Sequence, residues 1–272
     1  MTSPASLFLT PTPDGRPYVS CAYIGREGSG KTHAACTWPN PVVVAFDHNR
    51  GSAEKHVGAE RLIVPDSYEH FRLKILPAIK NRQLNRATLG FDVDTIILDT
   101  TSMAIQRLVA ETPHDPKNKF AKWQLVKTNS RQDIGAVLST TKPYPGDPSR
   151  PRYNVVLTWH LVPIWEGDEE KRTLVGYEPN FEGGFKIDLP SYTDCVFMSD
   201  VTTELRKDDK GAIVNSPFDG RPDRYNRYFI HTVAPDNFVK LKDGISGGKW
   251  KRLPARMDGS YQALSAAWGF PK

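Results

Sequence analysis

The stretch GREGSGKT, near the beginning of the sequence, constrains the fold more than any other feature. It matches G-x-x-x-x-G-K-[ST] at every fixed position, a pattern whose backbone N–H groups, lysine and hydroxyl bind nucleotide phosphates and Mg²⁺. The preceding run CAYI is typical of a strand and the following THAACTW of a short helix, as such a loop requires. We therefore predict a nucleotide-binding loop of eight residues: Gly25, Arg26, Glu27, Gly28, Ser29, Gly30, Lys31 and Thr32.

The second half of a phosphate-loop site is an aspartate at the end of an apolar strand, where its carboxylate joins the Mg²⁺ shell. The segment DTIILDTTS supplies such a residue in Asp99. We predict that Thr32 and Asp99 bind Mg²⁺ together. Asp47, at the end of the run VVVAFD, is a weaker alternative for the same role.

Apolar runs alternate with helical patterns along the first 160 residues. This alternation favours an α/β fold with a mostly parallel central sheet and helices on both faces. After about residue 173, short strands joined by turns predict antiparallel additions. We predict an extended lead-in over residues 1–16, one domain over 17–243 and a basic tail over 244–272. The predicted early strands are 18–24, 41–46, 61–64, 93–98 and 154–159.

Composition excludes several other classes of protein. No apolar run approaches the roughly 18 residues of a membrane span, and the N-terminal residues lack the basic start and long apolar stretch of a signal peptide. We therefore expect a cytoplasmic protein without a membrane partner. The three cysteines form no C-x-x-C pair and the seven histidines have no metal-binding spacing, so a metal held by protein ligands alone is not expected.

Most of the net charge of +5 lies in residues 244–272, where aromatic residues are interspersed with basic ones. Basic and aromatic side chains together favour single-stranded nucleic acid, through phosphate attraction and base stacking. The alternative is a C-terminal helix whose aromatic rings pack on the core. The first alternative gives three candidate DNA-binding residues in this segment: Lys249, Lys251 and Arg252.

The order of the motifs resembles that of the RecA-like ATPases, most closely the phage-encoded RecA-like single-strand annealing ATPases. The resemblance spans residues 18 to about 253 and rests on GREGSGKT, VVVAFDHNRGS, DTIILDTTS, NVVLTWHL and VKLKD. It implies a RecA-like P-loop NTPase core, in which the strand carrying a sensor residue lies between the loop strand and the Asp99 strand. It also implies ATP and Mg²⁺ as cofactors, nucleotide bound between subunits of a homo-oligomeric ring or filament, and two DNA-binding loops.

The resemblance assigns further roles outside the loop. His160 falls where the family places a polar residue that senses the γ-phosphate, although a strand-end histidine satisfied locally is the alternative. Lys240 and Lys242 resemble paired lysines that reach the γ-phosphate of a neighbouring subunit. A solvated strand edge with alternating lysines fits these two residues equally well.

One departure from the family concerns the residue that polarises the attacking water. Relatives commonly carry a glutamate two residues after the aspartate of the second strand, and Asn49 stands at that place here. An amide can orient a water but cannot accept its proton as a carboxylate does. Either hydrolysis is slow, or Asp47 or Glu54 substitutes, or the alignment is shifted by one or two residues.

The first DNA loop implied by the resemblance is ETPHDPKNKFAKW, in which lysines surround Phe120 and Trp123. The second would lie within residues 161–186, where a run of acidic residues repels phosphate. The candidate DNA-binding lysines of the first loop are Lys117, Lys119 and Lys122.

The resemblance therefore implies an ATP- and Mg²⁺-dependent DNA-binding protein that promotes single-strand annealing or strand pairing in phage recombination. Its partners would be single-stranded DNA, further copies of itself and a single-strand binding protein, in the cytoplasm of a host cell. The alternatives are a helicase-like or DNA-packaging motor, a small-molecule kinase, and a nucleotide-gated binding protein that hydrolyses little or no ATP.

Overall fold

A computed structural model describes residues 16–47, 50–113, 118–147, 149–167, 173–179, 192–216, 221–233, 241–245 and 250–271. The strands in these ranges are β1 Ser20–Gly25, β2 Pro41–Ala45, β3 Leu62–Ile63, β4 Thr95–Asp99, β5 Asn154–Glu166, β6 Thr173–Pro179, β7 Cys195–Leu205, β8 Arg224–His231, β9 Lys242–Asp243 and β10 Arg256–Met257. They form one sheet in the order β10-β8-β7-β1-β5-β4-β2-β3, with β6 paired to β5 and β9 paired to β7.

The centre of the sheet is parallel. Strand β1 pairs in parallel with β5 and β7, and β4 pairs in parallel with β5 and β2. Strand β5 thus lies between the loop strand β1 and the Asp99 strand β4, as the resemblance implied. These pairings confirm the predicted α/β fold with a mostly parallel sheet.

The late strands add antiparallel pairs, β6 on β5, β8 and β9 on β7, and β10 on β8. Strand β7 combines both kinds of pairing. Its buried first part, 195–198, is parallel to β1, and residues 198–205 pair antiparallel with β8.

The helices are α1 Lys31–Cys36, α2 Gly51–Val57, α3 Tyr68–His70, α4 Leu76–Lys80, α5 Arg86–Leu89, α6 Thr101–Glu111, α7 Lys119–Leu138 and α8 Tyr261–Trp268. A π-helical segment, Phe71–Ile75, joins α3 to α4, and Pro77 lies in the first turn of α4, where a missing N–H is tolerated. The Ser67 side chain caps α3 by accepting a hydrogen bond from the backbone N–H of His70. None of the helices in the described ranges is long and apolar enough to cross a membrane.

Alternating side chains of the central strands divide the core between the two faces of the sheet. On the first face, which we call the α6–α7 face, Ile24, Leu98 and Leu157 pack with side chains of α3, α4, α6 and α7. On the second, the α1–α8 face, Tyr23 and Val156 pack with side chains of α1, α2 and α8. The sheet is therefore covered on both sides, as its apolar strands require.

The C-terminal segment, residues 250–271, takes part in this core. Trp268, Phe270 and Tyr261 are all buried on the α1–α8 face. Their rings are therefore not available to stack on nucleic-acid bases, which agrees with the alternative in which the aromatic residues pack on the core. Lys251 and Arg252 are exposed, whereas Lys249 lies outside the described residues.

Candidate nucleotide-binding site

The loop Gly25–Thr32 connects the end of β1 to the start of α1. Two of its glycines are required by their backbone φ angles and the third by close contacts. Gly28 and Gly30 have φ angles of 74° and 84°, in the left-handed region that favours glycine. A Cβ atom on Gly25 would come within 2.4 Å of Ser29 Oγ and 2.6 Å of the Ser199 carbonyl oxygen. A side chain at any of these three positions would therefore strain the backbone of the loop or clash with its neighbours.

Lys31 lies at the centre of this loop. Its side chain is buried, and its Nζ donates hydrogen bonds to the carbonyl oxygens of Gly25 at 3.0 Å and Arg26 at 2.7 Å. Burial lowers the pKa of Lys31 to about 8, although nearby carboxylates, Asp99 first among them, act in the opposite direction. The ammonium group therefore faces the concave side of its own loop in an environment that favours an additional anion.

The Ser29 hydroxyl supports the same interpretation. Ser29 is only 3% exposed, and its Oγ has no hydrogen-bond partner among the described residues. A buried hydroxyl without a partner destabilises the folded state by about 1–3 kcal/mol. A phosphate oxygen in the loop would accept this hydrogen bond. The neighbouring residues Arg26 and Glu27 are exposed.

Asp99 ends β4 and is buried beside the first turn of α1. Thr32 Oγ1 lies 3.1 Å from each carboxylate oxygen of Asp99, and Thr158 Oγ1 on β5 donates a hydrogen bond of 2.5 Å to Oδ1. Burial raises the pKa of Asp99, while the hydrogen bonds from the two threonines oppose this increase. The structure thus brings together Thr32 and Asp99, which the sequence paired as Mg²⁺ ligands.

This pair of residues fits the preferences of Mg²⁺. The ion takes hard oxygen donors, keeps several waters and usually binds only one or two carboxylates together with substrate phosphates. The Thr32 hydroxyl and the Asp99 carboxylate provide these donors at the helix end of the loop. Thr158, which holds the carboxylate in place, was missed by the sequence analysis; its only signal was a polar residue within the apolar run NVVLTW.

His160 and Asp47 lie near the same cluster. His160 on β5 is paired with Gly25 on β1, and the backbone N–H of His160 donates a 3.0 Å hydrogen bond to Ser102 Oγ. Burial lowers the pKa of His160, and the positive charge of Lys31 lowers it further. Asp47 follows β2, and its charge contributes to the raised pKa of Asp99. The sensor and catalytic roles of His160 and Asp47 remain predictions.

Comparison with known families decides what kind of domain holds this site. A family model described as an AAA domain matches residues 18–238. The chain belongs to this AAA domain family. It is therefore a nucleotide-binding ATPase domain, which confirms the prediction of a P-loop ATPase, whereas the RecA-like annealing subtype stays a prediction.

Searches beyond the family gave two further findings. A solved structure described as a prototypical ATPase from the type III secretion system of pathogenic bacteria aligns with a TM-score of 0.41 and 13% identity, over 67% of this chain. The alignment covers 52% of that ATPase, so the chain spans about half of its length. Among curated proteins, none matches the sequence.

The two residues predicted to act across a subunit interface, Lys240 and Lys242, lie just after the residues 18–238 that the AAA family model matches. Lys240 is outside the described residues. Lys242 lies in β9, and its Nζ donates a hydrogen bond of 2.8 Å to the Thr193 carbonyl oxygen. Strand β9 pairs with Cys195 at the start of β7, whereas the phosphate loop follows the end of the parallel strand β1. Lys242 is thus at the opposite end of the sheet from the loop of its own chain.

Besides the C-terminal segment, the DNA contacts were predicted in two loops. Around the start of α7, Phe120 is 75% exposed, Trp123 is 40% exposed and Lys122 is half-buried. Lys119 begins this helix, but its side chain and the whole of Lys117 are outside the description. Part of the predicted second loop forms the antiparallel pair of β5 and β6.

Asn49, which stands where relatives carry the glutamate that polarises water, lies outside the described residues. Glu54, one of its possible substitutes, is exposed in α2. Directly after Asp99, Thr100 caps α6, since its side chain accepts a hydrogen bond from the Met103 N–H. The position next to Asp99 is therefore occupied by a helix cap and not by a carboxylate.

Proposed function

We propose that this AAA domain binds ATP with Mg²⁺ and acts as a DNA-binding ATPase that promotes annealing or pairing of single strands in phage recombination. The observation that carries the proposal is the cluster of buried Lys31 with Thr32 and Asp99 in mutual contact. This cluster supports a nucleotide site at the end of β1. The DNA-binding part rests on the resemblance and on the exposed residues of α7.

Within this site, each side chain would have a separate task. Lys31 would exchange its two carbonyl hydrogen bonds for phosphate oxygens, and Ser29 would donate its unpaired hydroxyl. Thr32 and Asp99 would hold Mg²⁺, which neutralises charge on the β- and γ-phosphates. Thr158 would keep the Asp99 carboxylate oriented, because its hydroxyl already donates to Oδ1.

The start of α7 supports the DNA-binding part of the proposal. Phe120 and Trp123 are three residues apart on the same helix and expose their rings, with Lys122 between them in sequence. Aromatic stacking contributes about 1–3 kcal/mol per base, and lysine attracts the phosphates. Helix α6 starts directly after Asp99, and α7 is the next helix in the chain, so a single helix separates the two sites in sequence.

Assembly of several subunits on DNA, with ATP as a switch between them, would complete this function. Homo-oligomers of this kind place a residue of one subunit near the nucleotide of the next, which is the role proposed for Lys240 and Lys242. A single-strand binding protein would be a further partner. These steps rest on the resemblance alone.

A nucleotide-gated binding protein with little hydrolysis is the second candidate. It is supported by Thr100, which caps α6 directly after Asp99 and provides no carboxylate there to accept a proton from water. Asn49 in the sequence favours it for the same reason. This candidate does not require DNA.

ATP hydrolysis by the purified protein with Mg²⁺, measured with and without single-stranded DNA, distinguishes the two candidates. Strong stimulation by DNA supports the annealing ATPase, with Lys31→Ala as the inactive control. Binding of ATP without hydrolysis in either condition supports the nucleotide-gated protein. If the Lys31→Ala variant binds ATP like the unmodified protein, the loop assignment is wrong.

A second experiment tests the DNA surface directly. The double variant Phe120→Ala, Trp123→Ala should weaken single-stranded DNA binding by about 10-fold or more. Leu125→Ala is a matched control, because Leu125 is an exposed apolar residue on another side of the same helix. Equal affinities for all three proteins would remove α7 from the DNA-binding surface.

A further inference from the structure

A cavity of about 200 Å³ lies beside the phosphate loop, between α1 and β8. It is lined by the loop and α1 on one side and by β7, β8 and the turn before α8 on the other. The lining residues that matter here are Ser29, Gly30, His33, Ser199, Tyr228 and Asp258. None of them was singled out by the sequence analysis except the two loop residues.

The order of the strands places this cavity on a defined side of the loop. Asp99, which contacts Thr32, is on β4, so it lies on the β5–β4 side of β1. The cavity lies on the other side, toward β7 and β8. If the terminal phosphates of a bound nucleoside triphosphate lie near Asp99, its nucleoside would extend from the loop toward this cavity.

Two buried hydroxyls at the cavity lack partners. Ser29 is 3% exposed and Ser199 is 4% exposed, and neither Oγ has a hydrogen-bond partner among the described residues. Buried polar groups are nearly always paired in folded proteins. The Ser29 hydroxyl is within reach of a phosphate in the loop, whereas Ser199 lies on the cavity wall, where a polar part of the nucleoside would give its hydroxyl a partner. Asp258, also on the wall, would repel a phosphate but can accept a hydrogen bond from a base or a ribose hydroxyl.

Aromatic rings form the part of the wall next to the loop. The Tyr228 ring lies directly over Gly30, where an added Cβ would be only 2.4 Å from Tyr228 Cδ1. The centroid of the His33 ring is 5.8 Å from that of Tyr228, at an angle of 38°. His33 Nδ1 is 3.2 Å from His56 Nε2, so α2 provides a polar contact for the same ring. Aromatic faces of this kind stack on nucleobases.

From these observations we propose that the cavity receives the base and ribose of the bound nucleotide, with Tyr228 and His33 as its aromatic partners. The size of the cavity is consistent with this assignment, because pockets for whole drug-sized ligands measure about 300–1,000 Å³ and this one has only to hold the nucleoside part. The proposal rests on the proposed nucleotide binding at the loop and adds the residues that distinguish a nucleoside from a bare polyphosphate.

The test compares the affinities of ATP and inorganic tripolyphosphate, both with Mg²⁺, for the full chain and its variants. Tyr228→Ala should weaken ATP binding by about 10- to 100-fold and leave tripolyphosphate binding unchanged, because only ATP carries a base to stack. Tyr228→Phe keeps the ring and should bind ATP like the unmodified protein. His33→Ala, an exposed change within α1, should weaken ATP binding in the same selective way and serves if Tyr228→Ala fails to fold.

The outcomes separate this proposal from the one on which it rests. Equal weakening of ATP and tripolyphosphate by Tyr228→Ala would mean that Tyr228 only supports the loop, which would overturn the nucleoside site. Unchanged ATP affinity in both Tyr228→Ala and His33→Ala would overturn it as well. If Lys31→Ala retains both ligands, or if the unmodified protein binds neither, the phosphate loop itself is not the binding site and the proposed function fails first.

Discussion

The two faces of the sheet are covered by very different parts of the chain. On the α6–α7 face, α3, α4, α6 and α7 come from one continuous stretch, residues 68–138. On the α1–α8 face, α1 and α2 come from residues 31–57 and the remainder from the C-terminal segment, about 200 residues later. The first face is thus built locally, whereas the second depends on contacts between distant parts of the sequence.

The distant contacts on the α1–α8 face are specific. The Tyr23 hydroxyl donates a 2.8 Å hydrogen bond to the Gly259 carbonyl oxygen and accepts one of 3.1 Å from Trp38 Nε1. The Tyr261 N–H donates to Thr37 Oγ1 at 2.8 Å, directly after α1. Since α1 carries Thr32 and begins at the phosphate loop, the C-terminal segment supports the helix of the nucleotide site. The comparison teaches that the helix after the phosphate loop is held by contacts with a distant part of the chain, whereas the helices of the other face come from one continuous stretch.

The largest expected effect comes from removal of residues 250–272. Each fully buried large apolar side chain contributes about 1.5–3 kcal/mol, and the segment contains several, so their loss approaches the whole stability of a typical domain. We expect a chain that does not unfold cooperatively, measured by circular dichroism on heating. The control removes only residues 271–272. If the longer deletion leaves the unfolding temperature unchanged, packing of the C-terminal segment on the α1–α8 face does not contribute to stability.

Trp268→Ala tests the same face with a single change. Trp268 is completely buried, and truncation of such a side chain costs about 3–5 kcal/mol of unfolding free energy. Trp123→Ala is the matched control, because Trp123 is 40% exposed and its loss should change stability by no more than about 0.5 kcal/mol. Chemical denaturation measures both, and similar values for the two variants would contradict the burial of Trp268.

Leucine truncations on the two faces sharpen the comparison. Leu264→Ala on the α1–α8 face and Leu108→Ala on the α6–α7 face should each lower the unfolding free energy by about 2–5 kcal/mol, since both side chains are buried. Only Leu264→Ala should also weaken ATP binding, because α8 packs on the face that carries α1. The measurement is ATP affinity under conditions in which both variants are folded. Equal loss of affinity in both would remove the functional difference between the faces.

The smallest expected effects come from hydroxyl deletions. Tyr23→Phe leaves the Trp38 indole N–H and the Gly259 carbonyl oxygen without this partner and should cost about 1–3 kcal/mol. Tyr153→Phe on the other face removes one hydrogen bond, to the Leu84 carbonyl oxygen, and should cost about 0.5–1.5 kcal/mol. Denaturant titrations measure both values. The reverse order would mean that the Tyr23 bonds contribute less than their geometry indicates.

What could be predicted from the sequence follows the same division between local and distant contacts. The phosphate loop and the early strands are encoded in consecutive residues, so local patterns were sufficient to find them. Thr158 could not be identified, because its role depends on the parallel pairing of β5 with β4, which places its hydroxyl at Asp99. Tyr228 is nearly 200 residues from Gly30, and no local pattern predicts that its ring lies over the loop.

The pairing of β1 also has a consequence for how the protein is made. Strand β1 pairs with β5 and β7, which begin at residues 154 and 195. A ribosome that has completed α6 has therefore synthesised the phosphate loop but neither neighbour of its strand. Because synthesis proceeds at roughly 5–20 residues per second, both partner strands are complete only on the order of ten seconds after β1. During that time its backbone N–H and C=O groups are unpaired and its apolar side chains are exposed to other chains, although the phosphate loop that follows it was made early.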